Sequence, residues 1–236
     1  MLFQDNTPNK SVSNPALARI VPFVIFIAFI ALESVLQSNW LSGYMQSLDL
    51  RWLYAVRVVA TVTALAYFWQ HYVELKLPVN IPLSQWLGAI VIGIGVFVLW
   101  INLDHPWLRL GESHGFKPLS ADGNLDVWLV CFRLTGATLV VPLIEELFWR
   151  SYLLRWIDRS DFLQVSPASV SHKAFWLTAV LFASEHNLLF AGLLAGCAYN
   201  LLYMRTRNLW LPICAHAITN GLLGIWVLYT QSWQFW

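Results

Sequence analysis

Apolar residues along this chain run in long unbroken blocks, without the strict alternation of a half-buried strand or the single stripe of a surface helix. The blocks fall at residues 16–37, 53–73, 83–103, 125–157, 173–186, 188–204 and 209–230. Blocks of this kind cross ~30 Å of hydrocarbon at ~1.5 Å per residue. The pattern predicts an all-α, polytopic transmembrane helix bundle with seven spans, or eight if the long fourth block breaks. Blocks five and six are so closely spaced that they predict a tight hairpin or a bent pair. A polar leader, residues 1–15, precedes the first block, and no small-residue cleavage site follows it, so that block reads as a retained helix. The longest polar interval, 104–126, carries His105, Pro106, His114, Pro118 and Gly123. It separates a front unit, 16–124, from a rear bundle of four blocks, 125–230, followed by a short tail, 231–236.

Composition agrees with the pattern. Of the 236 residues, 58% are hydrophobic and 11% charged, and the mean hydropathy of +0.58 places the chain in a membrane. A net charge of +1 supplies no basic field, so nucleic acid is not an expected partner; membrane lipid is. Cys131, Cys197 and Cys214 lie in apolar blocks without the spacing of a zinc site or a disulfide framework, and read as core packing. With the N-terminus cytoplasmic, the inner segments carry Lys10, Arg19, Lys76, Arg155, Arg159, Lys173, Arg205 and Arg207, and the outer ones only Arg51, Arg109 and Lys117. That bias sets the predicted orientation. Arg57, Arg133 and Arg150 remain inside predicted spans and require partners.

The chemistry concentrates in the rear bundle. The stretch VVPLIEELFWRSYLL, residues 140–154, places Glu145, Glu146 and Arg150 where each ionised group costs at least ~2.5 kcal/mol. Glu146 and Arg150 are four apart and share a helix face, and Glu145 is rotated about 100° from its neighbour, so one glutamate can pair with Arg150 while the other stays free. FASEH sets Phe182 and His186 one turn apart in the fifth block, and HAITN does the same for His216 and Asn220 in the seventh. Counting from the basic residues Arg155, Lys173 and Arg207 at ~1.5 Å per residue, Glu145, His186, His216 and Asn220 lie ~14–20 Å deep. All four reach one slab and can converge on one cavity. A carboxylate and an imidazole there can deprotonate water, and an amide N–H with a second imidazole can stabilise an oxyanion.

EELFWR, FASEH and HAITN, in this order on the fourth, fifth and seventh apolar blocks, resemble the EExxxR, FxxxH and HxxxN motifs of the CPBP family of intramembrane glutamic endopeptidases. That family includes the type II CAAX prenyl proteases and the Abi proteins. The resemblance spans residues 125–230, and the front blocks match it in hydropathy alone. It implies that Glu145 and His186 activate water, that His216 and Asn220 stabilise the tetrahedral oxyanion, and that Glu146, Arg150 and Phe182 support them. It implies no cofactor, a membrane-associated peptide substrate that is prenylated or lipid-anchored in some relatives, and a bacterial inner membrane location. Some relatives work beside protein-sorting systems of the cell envelope, which adds such a system to the implied partners. Ser151 departs from the glycine that many members carry after the arginine, a difference that bears on helix packing.

Other readings fit parts of the pattern. Glu145, His186 and His216 form a two-His, one-carboxylate set that could hold zinc, although no HExxH helix is present. Mid-membrane Glu and His also suit a proton-coupled transporter, against which stands the lack of an internal repeat. A non-catalytic membrane scaffold is the third. Glu33 and Arg57 read as a structural pair across the first two spans, Arg133 has no assigned role, and Glu185 is turned away from His186 and suits either a hydrated rim or the site. His71, His105, His114 and His172 fall in loops or near ends and read as solvated. Gly192 and Gly196 mark either dimerisation or close packing within the bundle. Tryptophans near predicted ends, such as Trp156, Trp210 and Trp233, suit an interfacial belt. Oligomeric state is not legible.

Overall fold

A computed structural model describes residues 14–37, 49–76, 80–109, 111 and 115–236. Most of the polar leader, including Lys10, and also His114 lie outside the described residues. Among the described residues the chain forms seven helices and no extended strand. They are α1 (Pro15–Leu36), α2 (Leu53–Phe68), α3 (Leu83–Asn102), α4 (Val127–Trp156), α5 (His172–Ser184), α6 (Leu189–Thr206) and α7 (Trp210–Thr230). The long fourth block does not break into two spans.

Local sequence explains where the helices start and stop. Asn14 accepts from the Ala16 N–H at 2.9 Å ahead of Pro15, Asp126 accepts from the Trp128 and Leu129 N–H groups at 3.0 and 3.1 Å, and Ser171 accepts from that of Ala174 at 3.1 Å. Each satisfies amides that the first helical turn leaves unpaired. α6 and α7 end at Arg207 and Gln231, both left-handed with φ of 56° and 57°. Among the described residues, five helical stretches are long and apolar enough to cross a membrane: Pro15–Leu36, Leu50–His71, Leu83–Asn102, Val127–Trp156 and Trp210–Thr230. α5, with 13 residues, is about 20 Å long. It pairs with α6 as the short separation predicts.

Two apolar cores meet on α4. One joins Ala18 and Phe26 of α1, Tyr54 and Val58 of α2, and Ile144 and Leu147 of α4; the other joins Ala89 and Val96 of α3, Trp149 of α4, Phe182 of α5, Tyr199 of α6 and Ala215 of α7. Apolar side chains left outside, such as Val56, Val59, Val91 and Ile225, are those of a bundle whose solvent is lipid. α3 and α7 cross where a Cβ on Gly93 would come within 2.5 Å of the Ala215 carbonyl oxygen, so that contact requires glycine. Gly192 and Gly196 serve intrachain packing: a Cβ on either would lie 3.1 Å from the Cα of Ala183 or Ala179 on α5.

At the end where α1 starts, a buried polar clasp ties the front helices to α4. Glu74, in the turn after α2, pairs with Arg19 of α1 and, at 2.5 Å, with Arg155 of α4. The Ser151 hydroxyl sits between them, accepting from Arg19 Nε at 2.6 Å and donating to Glu74 at 2.5 Å. The serine thus supplies a connection that glycine could not. Burial opposes ionisation of Glu74, but Arg19, Arg155 and Ser151 together hold its carboxyl below the ordinary value of 4.5.

Candidate active site

The site is built on a helix that is not uniformly α. α4 widens into π turns over Gly136–Val140 and Glu146–Leu153, on either side of the short α segment Val141–Glu145. Such turns recur at functional sites because they re-aim side chains. The first opens at Gly136, where α2 approaches so closely that a Cβ would lie 2.6 Å from the Tyr54 hydroxyl. Its ladder then loses a donor. The Val141 N–H reaches back to the Gly136 carbonyl, and Pro142 has no N–H, so the Ala137 carbonyl is left without the donors four and five residues on. Asn220 of α7 fills that vacancy, its Nδ2 donating to Ala137 O at 2.9 Å. One amide hydrogen of Asn220 is thereby committed to fixing the side chain, and the other remains.

The two glutamates part as their rotation predicts. Arg150 Nη1 donates to Glu146 Oε1 at 3.1 Å, and His216 Nδ1 lies 2.9 Å from the same oxygen; Glu146 and Arg150 are fully buried. With the carboxylate as acceptor, His216 carries its proton on Nδ1 and keeps Nε2 for the cavity. This gives the supporting role expected of Glu146 a second partner beside Arg150. Glu145 instead lines the cavity, and its Oε2 is buried with no hydrogen-bond partner among the described residues. His186 Nδ1 lies 2.8 Å from the Phe182 carbonyl, which can only accept, so Nδ1 holds the proton and Nε2 is the basic nitrogen. Phe182 also covers Arg150, whose guanidinium carbon is 4.3 Å from the ring centroid.

Glu145, Phe182, His186, His216 and Asn220 all line one cavity of about 180 Å³ between α4, α5 and α7. The depth argument from sequence therefore brought together side chains that share a wall in space. Among the described residues, no group of three or more His, Cys, Asp or Glu is disposed to hold a metal ion.

Several wall residues had not been singled out. The His216 ring stacks on Tyr199 of α6 at 5.0 Å and 22°, and the Tyr199 hydroxyl is 2.8 Å from Thr219 Oγ1, which bonds the Gly93 carbonyl at 2.8 Å. Thr219 lies three residues after His216, a spacing that could have flagged it. Trp100 of α3 meets His186 edge-on at 5.2 Å, so the front unit contributes to the wall. Nothing in the hydropathy of α3 signals this.

Two other expectations change, and one is narrowed. Glu33 and Arg57 form no ion pair among the described residues; Glu33 bonds Gln37, while Arg57 lies 4.5 Å over both Phe26 and Tyr54. Charged side chains that share a span can be held by aromatic faces instead. Cys131 is exposed on the outer face of α4, whereas Cys197 and Cys214 are half-buried. Glu185 is exposed and lines a larger chamber beside the cavity, in keeping with a hydrated rim.

Residues 127–222 match the family model for the type II CAAX prenyl endopeptidase Rce1-like proteins. Searches of the curated proteins and of the solved structures returned no match.

Proposed function

We propose that this chain is a glutamic-type intramembrane endopeptidase, a reading supported by the match of residues 127–222 to the family model of the Rce1-like type II CAAX prenyl endopeptidases. It would hydrolyse a peptide bond of a membrane-associated substrate in the cavity between α4, α5 and α7. The observation that carries this reading is the unpartnered Glu145 carboxylate sharing one wall with the two histidines and Asn220.

In the proposed reaction, water in the cavity gives a proton to the Glu145–His186 pair as its oxygen attacks the peptide carbonyl carbon. His186 can serve because Phe182 holds its Nδ1–H and leaves Nε2 basic. The carbonyl oxygen becomes an oxyanion, met by the remaining Asn220 N–H and by His216. His216 can donate from Nε2 once it is an imidazolium, and Glu146 is the counter-charge that allows this. Collapse of the tetrahedral intermediate breaks the C–N bond, and the departing amine takes the proton from the base pair. No covalent enzyme intermediate is needed. The positive-inside bias supports a cytoplasmic N-terminus, and a bacterial inner membrane location belongs to the same proposal.

The test is cleavage of fluorogenic membrane-anchored peptides, prenylated and unprenylated, by purified wild-type protein and by folded Glu145→Gln, His186→Ala and Asn220→Ala. Wild type should cleave, and each variant should fall by ~10² or more, the usual effect of losing a base or an oxyanion donor. Equal cleavage by wild type and Glu145→Gln would refute the assignment.

A further inference from the structure

Beside the catalytic cavity lies a wider chamber of about 720 Å³. The two share Tyr54, Trp100, Arg133 and His186 as lining residues, so a molecule in the chamber touches the wall of the reaction site. Two arginines line the chamber without an ion pair or a hydrogen bond among the described residues. Arg57 of α2 is 5% exposed and its Nε is buried and unpartnered; the Nε of Arg133 on α4 is buried and unpartnered as well. They lie against one ring, with guanidinium carbons 4.5 and 4.7 Å from the Tyr54 centroid. Two cations against one aromatic ring repel each other, and each leaves a fork of donors unused. Glu33 is within electrostatic reach of Arg57 but is not at ion-pair distance, and Arg51 at the rim is already neutralised by Asp49.

We propose that Arg57 and Arg133, joined through Tyr54, form a carboxylate-binding subsite that selects an acidic group on the peptide substrate and holds it beside the reaction cavity. The pairing would be the charge-assisted fork geometry that guanidinium offers a carboxylate. A lipid headgroup is the less favoured occupant, because the chamber is walled by His186 and opens into the site that would hold the scissile bond. The inference rests on the peptidase reading for its biological sense, and its test does not require cleavage.

Glu145→Gln protein is placed in phosphatidylcholine nanodiscs and titrated with three pools of N-palmitoylated peptides carrying a neutral dye. All three are randomised over uncharged residues: one ends in a free carboxylate, one ends in a carboxamide, and one ends in a carboxamide but includes a single aspartate. Either acid-bearing pool should bind at least ~10-fold more tightly than the neutral pool, the scale of one hydrogen bond to a charged group. Arg57→Gln and Arg133→Gln should each erase the preference, Arg133→Lys should retain part of it, and Arg159→Gln, exposed on the opposite end of the bundle, should keep it whole. Arg133→Gln, whose side chain is less buried than Arg57, carries the test if Arg57→Gln does not fold. Equal binding of the three pools, binding of none, or a preference that survives in folded Arg133→Gln overturns the proposal. Loss of the preference on adding phosphatidylglycerol assigns the subsite to lipid headgroups and overturns it too. Cleavage data are independent: a preference without cleavage would count against the peptidase and leave the subsite standing.

Discussion

Replacing Glu145 or Glu146 by glutamine is nearly the same chemical change at adjacent positions, and the structure predicts opposite effects on stability. Glu146 is fully buried and its Oε1 serves both Arg150 and His216, at 3.1 and 2.9 Å. At 3.1 Å and an effective dielectric of about 20, the attraction to Arg150 is about 5 kcal/mol before desolvation is counted. Glutamine keeps the oxygen and loses the charge, leaving Arg150 a buried cation with no counter-ion, a change that typically costs about 3–5 kcal/mol. For a chain of this size that corresponds to a drop of about 6–20 °C in unfolding midpoint. Glu145 has a buried oxygen without a partner among the described residues, so neutralising it removes a desolvated charge without breaking an ion pair. Glu145→Gln should therefore be as stable as wild type or more so, while losing activity. Intrinsic fluorescence on heating in detergent, followed by peptide cleavage on the same samples, measures both. If Glu146→Gln melts with wild type, or Glu145→Gln melts well below it, the division of labour drawn from these contacts is wrong.

Other outcomes follow from the supporting structure. The Glu74 carboxyl is held below its ordinary value, so its contribution to stability is present above about pH 4.5 and is lost as the pH falls through its lowered folded value; Glu74→Gln should remove that part of the pH dependence of the unfolding midpoint and lower the midpoint at neutral pH. Pro142→Ala restores a backbone donor near the Ala137 carbonyl and competes with Asn220, so cleavage should fall while the unfolding midpoint holds or rises; unchanged cleavage would sever the link between Pro142 and Asn220. Gly93→Ala drives a Cβ into the Ala215 carbonyl and should cost about 1–3 kcal/mol, with cleavage reduced as Thr219 loses its bond to α3; thermal melts and rates check both.

What sequence reveals here depends on how local the physics is. Apolar blocks are legible because every residue facing lipid must be apolar and every backbone group must be satisfied within its helix, and the seven helices follow them closely. Glu145, Glu146, Arg150, His186, His216 and Asn220 stood out because polar groups at membrane depth are expensive, and a common depth could be counted. Contacts between distant segments left no such trace. Glu74 looks like an ordinary turn residue, yet it meets Arg155, 81 positions later, and Arg19, 55 positions earlier. The sharing of Glu146 between Arg150 and His216 depends on the azimuth of α7, which periodicity cannot fix. Arg57 suggested a carboxylate partner because opposite charges on neighbouring spans invite pairing, whereas packing put Phe26 and Tyr54 there first.

The π turns of α4 have a consequence for anyone who would copy this site. In an ideal helix each residue advances the azimuth by about 100°, so a face is set by counting. A π turn absorbs residues without that advance, and two of them set the phase of Arg133, Glu145 and Ser151 relative to one another. A straight designed helix carrying the identical string of amino acids would aim at least one of the three at the wrong neighbour: the chamber, the cavity and the clasp could not all be served by one uninterrupted spiral. Transplanting the site therefore means transplanting two phase slips, and a single-residue deletion within Gly136–Val140 would be expected to do more harm than most substitutions there.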